Sequence, residues 1–238
     1  MTNNPPKWLY NDHQQVGTDY TDIAHVEAYD QQMAQLRNIE QEIENLIHCL
    51  DLKPGHAILE FGTGTGEFAI EAAKHCAVVH ALDVSPTMLG YARQKAEQQG
   101  MTNIQFHHAG FLTYEHEGKP LDAVVSQLAL HHLPDFWKMV ALQRIFEMLI
   151  DGGKFYLMDT VYSFKPEDHE SFFNNWLDTI KETAGEDIAQ DTEIAIREEF
   201  TTVDWIMEEL LSKAGFQIEK AEYPTECLAV YVCIKPAH

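Results

Sequence analysis

Ile58-Leu59-Glu60-Phe61-Gly62-Thr63-Gly64-Thr65-Gly66 is a strand-like stretch that runs straight into a loop with glycine at every second position. A helix-like run, Glu67 to Lys74, follows it. Strand, glycine-rich turn and helix together form a site where a ligand can touch bare backbone. Glycine has no Cβ to hold the ligand off, and the start of a helix offers unpaired N–H groups. A dinucleotide-binding turn would carry its third glycine where Glu67 stands, so close packing on a pyrophosphate is not what this loop is built for. Glu60, two positions before the first glycine, suits a ligand bearing an ammonium group better than one bearing phosphates.

Outward from the loop, Val78-Val79-His80-Ala81-Leu82 reads as a short buried strand that ends on Asp83, seventeen residues after Gly66. In α/β nucleotide folds an acid at this place accepts hydrogen bonds from ribose hydroxyls. Ser85 suits an N-cap and Pro86 a first helical turn, and Gly100 is placed to end the helix that follows. Further strands are expected near 103–108, 122–128 and 154–161, with helices near 67–75, 86–99 and 134–150. Repeated strand–helix alternation means a parallel sheet with right-handed crossovers. A helix over about 203–214 precedes strands near 216–222 and 228–235. Those two strands are too close in sequence to pair in parallel, so they form an antiparallel hairpin.

With these residues in place, the chain resembles the class I S-adenosylmethionine-dependent methyltransferases. The loop Glu60 to Gly66 is similar to that family's first motif, and Leu82-Asp83-Val84-Ser85-Pro86-Thr87-Met88-Leu89 to its second. Asp122 to Leu133 resembles the fourth strand and the loop after it, and Leu149 to Phe155 the turn into strand five. The likeness runs over roughly residues 40 to 160. It implies a three-layer, Rossmann-like, doubly wound α/β sheet of seven strands, mostly parallel, with a C-terminal antiparallel hairpin. It also implies a single methyltransferase domain over 1–238, with an N-terminal helical segment over about 1–52 and a helical cap inserted at about 162–200.

The cofactor implied is S-adenosyl-L-methionine. Gly62, Thr63, Gly64 and Gly66 would lie against its methionine half, with Glu60 facing the ammonium. Asp83 would hold the ribose diol, and Val84 and Met88 would pack on the adenine. The family often has an acid after strand three that hydrogen-bonds the adenine amino group, but Gly110 stands there, which moves adenine recognition to backbone groups near Gly110 and Phe111. Tyr29 is expected to cover the bound cofactor.

Methyl transfer from a sulfonium is an in-line displacement that asks mainly for positioning and the exclusion of water. A base helps when the acceptor is a hydroxyl or a protonated amine. His131 and His132 follow strand four, where the family's acceptor often docks, so either is a candidate base of suitable pKa. His107 and His108 on strand three read as structural. No metal site is expected, because these histidines form no i, i+4 helical pair and no acid follows strand four. Ser126-Gln127-Leu128-Ala129 stands where amino-methyltransferases of nucleobases or glutamine carry an Asn-Pro-Pro-Tyr type signature.

Composition narrows the partners. Sixteen Lys and Arg face 38 Asp and Glu in 238 residues, a formal net charge of −22. Such a surface repels nucleic-acid backbones and anionic lipid heads. The family resemblance implies a small-molecule acceptor, and the chain is expected as a monomer or homodimer. Residues 166 to 226 alone hold seventeen acids against four Lys and Arg. At their start, Phe172, Phe173 and Trp176 read as one aromatic face of an amphipathic cap helix. The four cysteines form no C-x-x-C pair, and no apolar run approaches a membrane span, which agrees with a cytoplasmic protein. Two other functions fit parts of this pattern: a non-catalytic S-adenosylmethionine-binding module, and an NAD-dependent oxidoreductase. The absent third glycine and the terminal hairpin disfavour the latter.

Overall fold

A computed structural model of the chain describes residues 6–14, Val26 and residues 38–237. Helix α1, Ile39–Leu50, starts where the Asn38 side chain accepts from the Gln41 amide, and it buries Ile43, Leu46 and Leu50. Strand β1, Ala57–Phe61, leads through the glycine loop into α2, Glu67–Ala72. Strand β2, Val78–Asp83, precedes α3, Pro86–Gln98, whose cap is the expected Ser85, accepting from the Met88 amide at 3.2 Å. Then come β3, Ile104–His108, β4, Leu121–Gln127, α4, Asp135–Met148, and β5, Leu149–Tyr162. The cap is α5, His169–Ala184, and α6, Glu186–Glu198. A two-residue strand β6, Thr202–Val203, leads into α7, Asp204–Ala214, and the chain closes on β7, Gln217–Thr225, and β8, Leu228–Ile234.

The strands lie in the order β3-β2-β1-β4-β5-β8-β7, with β6 beside β5. Strands β1 to β5 run parallel, while β8 is antiparallel to both β5 and β7. This is the doubly wound sheet with its terminal hairpin, enlarged by β6 to eight strands. Period-two alternation assigns the faces. Leu59 and Phe61 of β1, with Val124 and Leu157, meet Leu142 and Ile145 of α4 and Met207 and Leu211 of α7. Ile58, with Val79, Val125 and Tyr156, meets Leu46 of α1 and Phe68 and Ala69 of α2. The sheet is thus covered on both sides, as buried parallel strands require. The strand order reverses between β1 and β4, and the crevice beyond their carboxyl ends is where such sheets bind ligands.

Two elements differ from expectation. Strand β5 begins at Leu149, directly after α4, instead of near residue 154. Leu149 pairs with Leu121, and the Gly152 amide donates to the Lys235 carbonyl at 2.8 Å, so cross-strand bonds draw the glycine turn into the strand. The cap holds two helices. Gly185, at φ 97°, breaks them, and the acidic run after it is itself helical because Ala189 packs inward. Of the N-terminal segment, residues 15–25 and 27–37 lie outside the described residues, and with them Tyr29.

Candidate active site

The glycine loop is tied to the next strand by the Thr63 amide, which donates to the Leu82 carbonyl at 2.8 Å. Gly62 turns the chain at φ +71°, and a Cβ there would sit 2.5 Å from the Ala129 Cβ, so only glycine lets the loops after β1 and β4 meet. At Gly64 the same construction meets nothing within 4 Å, so the loop backbone faces open space. Asp83, 9% exposed, borders that space. One of its oxygens accepts from the Gly64 amide and the other from the Ser85 amide, both at 2.8 Å. These bonds fix the carboxylate and leave it lone pairs directed at a ligand. Burial raises the Asp83 pKa, against the backbone hydrogen bonds that lower it.

The cleft encloses about 860 Å³ including its open mouth, ample for a nucleoside-sized ligand. Val84, Met88, Gly110 and Phe111 line its far end, and Phe111 stacks on Phe61 with ring centroids 4.4 Å apart. The Gly110 amide, one of the backbone groups expected to meet adenine, donates instead to Thr113 Oγ1 at 2.9 Å. Glu60, Thr63 and Gly66 stand behind the cleft wall. Thr63 Oγ1 donates to Glu60 Oε2 at 2.6 Å, and burial pushes the Glu60 carboxyl up to about 8. Gly66 caps α2, and a Cβ there would touch Ala92 of α3 at 3.0 Å.

At the near end, Gln127, Leu128, Ala129 and His132 line the cleft. Leu128 holds φ +51°, a strained conformation for a leucine, which turns the backbone after β4 into the cleft. The two histidines part company. His132 reaches the cleft, whereas His131 is 6% exposed and held between two acids. Its Nδ1 meets Asp159 at 2.5 Å, and its Nε2 lies 3.3 Å from Glu199. Burial pulls the His131 pKa down, but the charge and hydrogen bond of Asp159 and the charge of Glu199 outweigh it, and the net shift is upward. Burial raises the Glu199 pKa, against the charge of His131, which lowers it. Glu199 also lies 3.9 Å from His132 Nδ1, and donors of the three residues fall within 4.8 Å of one another. The acid that the sequence lacks after strand four thus arrives from the end of α6. Two imidazoles and a carboxylate have the composition of a divalent-cation site. The Asp159–His131–Glu199 chain already engages both ring nitrogens of His131.

The same region is stitched further. The Phe200 amide donates to the His131 carbonyl at 3.0 Å, and the fully buried Lys138 binds the Phe200 carbonyl and Asp135. Residues of the N-terminal segment reach this region. Tyr10 packs against Trp137 and Phe200, and Asp12 and Gln14 line the cleft. Phe172, Phe173 and Trp176 do not line it. They cluster with Tyr162 and Phe164 at the root of the cap, where Phe164 stacks on Phe172 at 4.1 Å.

Asp12, Gln127, Leu128, Asp159 and Glu199 are site residues that sequence reasoning passed over. An acid at the end of strand five and one at the end of the cap were visible, but nothing in their spacing joined them to His131.

A model of the methyltransferase domain family matches residues 58–153. An uncharacterized methyltransferase of Geobacillus kaustophilus is 29% identical over 197 residues, 83% of this chain and 84% of that protein. Among solved structures, the YcgJ protein of Bacillus subtilis superposes with a TM-score of 0.63 at 15% identity, covering 84% of this chain and all of the other. The N-methyltransferase NodS of Bradyrhizobium japonicum, in complex with S-adenosyl-L-homocysteine, gives 0.59 at 17% identity over 84% of this chain and 89% of its own.

Proposed function

We propose that the chain is a class I S-adenosylmethionine-dependent methyltransferase, which takes its methyl group from that cofactor and transfers it to a small molecule held between the loop after β4 and the N-terminal segment. The observation that carries this reading is the cleft at the β1–β4 switch point, with open space beside Gly64 at one wall and His132 at the other end. We read the chain as one methyltransferase unit, flanked by the segment over about 1–52 and capped at about 162–200. Among the described residues no helix is long and apolar enough to cross a membrane, and all four cysteines are free thiols, which supports a cytoplasmic setting.

The cofactor supplies an electrophilic methyl group on a sulfonium. The residues present fit it: Asp83 offers acceptors for a ribose diol, Val84 and Met88 an apolar surface for adenine, and Glu60 a carboxyl behind the loop for an ammonium. The protein's task is then positional. Gln127, Leu128 and Ala129 line the part of the cleft where an acceptor would be held and oriented toward the methyl group that the cofactor would supply. Where the attacking atom carries a proton, His132 is the group in the cleft that takes it, and His131 positions its neighbour through the Asp159–Glu199 clamp.

Thermal unfolding tests the site. A ligand at ~100 times its Kd stabilises by about 2.7 kcal/mol, so S-adenosylhomocysteine raises the Tm while NADH at equal concentration does not. Turnover with a panel of small amines, thiols and hydroxylated compounds then identifies the acceptor. Turnover confined to protein or RNA substrates would overturn the small-molecule reading.

A further inference from the structure

We propose that Asp12 recognises the exocyclic amino group of the cofactor's adenine, replacing an acid that the loop after β3 lacks. This rests on the cleft being the cofactor site.

Asp12 is 9% exposed and lines the cleft. Its Oδ2 accepts from the Leu112 amide at 2.8 Å, across 100 residues of sequence. Its Oδ1 is buried and has no hydrogen-bond partner among the described residues. A buried carboxylate oxygen without a donor is costly, and such atoms are rare unless a ligand completes them. The adenine amino group carries two N–H donors and matches a group that can only accept.

The position of the carboxylate is specific. A Cβ built on Gly110 would fall 2.4 Å from Asp12 Oδ2, 2.8 Å from its Cγ and 3.0 Å from Val84 Cγ1. The Asp12 carboxylate therefore occupies the space that a side chain at 110 would take, at the edge of the apolar surface formed by Val84 and Met88. An acid at 110 and an acid at 12 exclude each other. The Gly110 amide is engaged by Thr113 Oγ1, so the backbone at this point does not compete for the base. Asp83 fixes the ribose end from β2, which leaves the purine edge to Asp12. Adenine recognition then comes from the N-terminal segment.

The test is calorimetric titration of the full chain with S-adenosylhomocysteine and with its analogue in which hydrogen replaces the purine 6-amino group. The wild-type protein should prefer the amino compound by about tenfold or more, as expected for a hydrogen bond to a charged, buried acceptor. Asp12→Ala should lower that ratio to about one, chiefly by weakening the amino compound. Asp12→Asn keeps an acceptor for the Leu112 amide but turns an NH2 toward the base, and should also lose the preference. The Asp12→Ala/Gly110→Asp double variant, with the steric conflict removed, should regain it. A wild-type ratio retained in Asp12→Ala, or equal weakening of both ligands there, would overturn the proposal and leave Asp12 as an anchor for the segment. Asp83→Ala in the same titrations separates the two levels. If it leaves both affinities unchanged, the cleft is not the cofactor site and the underlying reading fails.

Discussion

Burial holds the Glu60 carboxyl near 8, so in the free protein at neutral pH it keeps its proton while its Oε2 accepts from Thr63 Oγ1. The folded pKa lies above the ordinary value of 4.5, so the folded state binds this proton more tightly than the unfolded chain does. The stability that Glu60 contributes is therefore complete below about pH 4.5 and declines as pH rises through about 8. Glu60→Gln should flatten that decline, seen as a Tm difference from wild type that grows in the variant's favour between pH 5 and 8. An ammonium group close to Glu60 would reverse the preference and expel the proton. S-adenosylhomocysteine binding at pH 7 should then release a proton, measurable by calorimetry in buffers of differing ionisation enthalpy. No release with that ligand would separate Glu60 from the ammonium. Asp83→Ala should weaken the same ligand by roughly 1–3 kcal/mol. These residues were legible because two short motifs, Glu60–Gly66 and Leu82–Leu89, carry them. Asp12, Asp159 and Glu199 were not, because each acts through partners that only the tertiary fold brings near.

The cap is fastened at the end of α6 through Glu199, Phe200 and Thr202. His131 grips the first two, Lys138 the carbonyl of the second, and Asp135 the hydroxyl of the third. The His131 pKa is raised in the fold, so the stability it adds is full below the ordinary value of 6.5 and is lost as pH climbs through the raised one. Hydrogen exchange over residues 186–203, corrected for intrinsic rates, should speed up across that alkaline range. Glu199→Gln should make it fast and nearly pH-independent, and lower the Tm by a few degrees, as about 1 kcal/mol does in a chain of this size. Exchange in Glu199→Gln as slow as in wild type would mean that the clamp does not hold the cap. At this scale the alternation of strands and helices was readable, since a period-two apolar run and a 3.6-period run differ over even short windows. The second cap helix was hidden by its charge: Glu186, Asp187 and Glu193 are exposed, Asp191 is half-buried, and Ala189 is its single buried residue.

The whole molecule carries a net charge of −22, because its 16 Lys and Arg cannot neutralise its 38 Asp and Glu. Surface pairs add little individually, so long-range repulsion should dominate the response to salt. Raising NaCl from 10 to 200 mM shortens the Debye length from about 30 Å to below about 10 Å. The Tm should therefore rise over this range. A fall would show that specific surface pairs outweigh the general repulsion. The sign of the charge was plain in the composition, whereas its distribution over two cap helices and the terminal hairpin required the fold.

Strand β7 forms one border of the sheet, with eight of its nine residues exposed. Its pairing with β8 slips twice, between Ile218 and Lys220 and between Glu222 and Thr225. It carries Glu219, Lys220 and Glu222, and Pro224 has no amide hydrogen to offer a neighbour. Bulges, charges and proline on an outer strand are the features that keep sheets from adding to one another. Two copies of this chain should therefore not extend the sheet through β7, and at high concentration the molecule should resist fibrous association along this border.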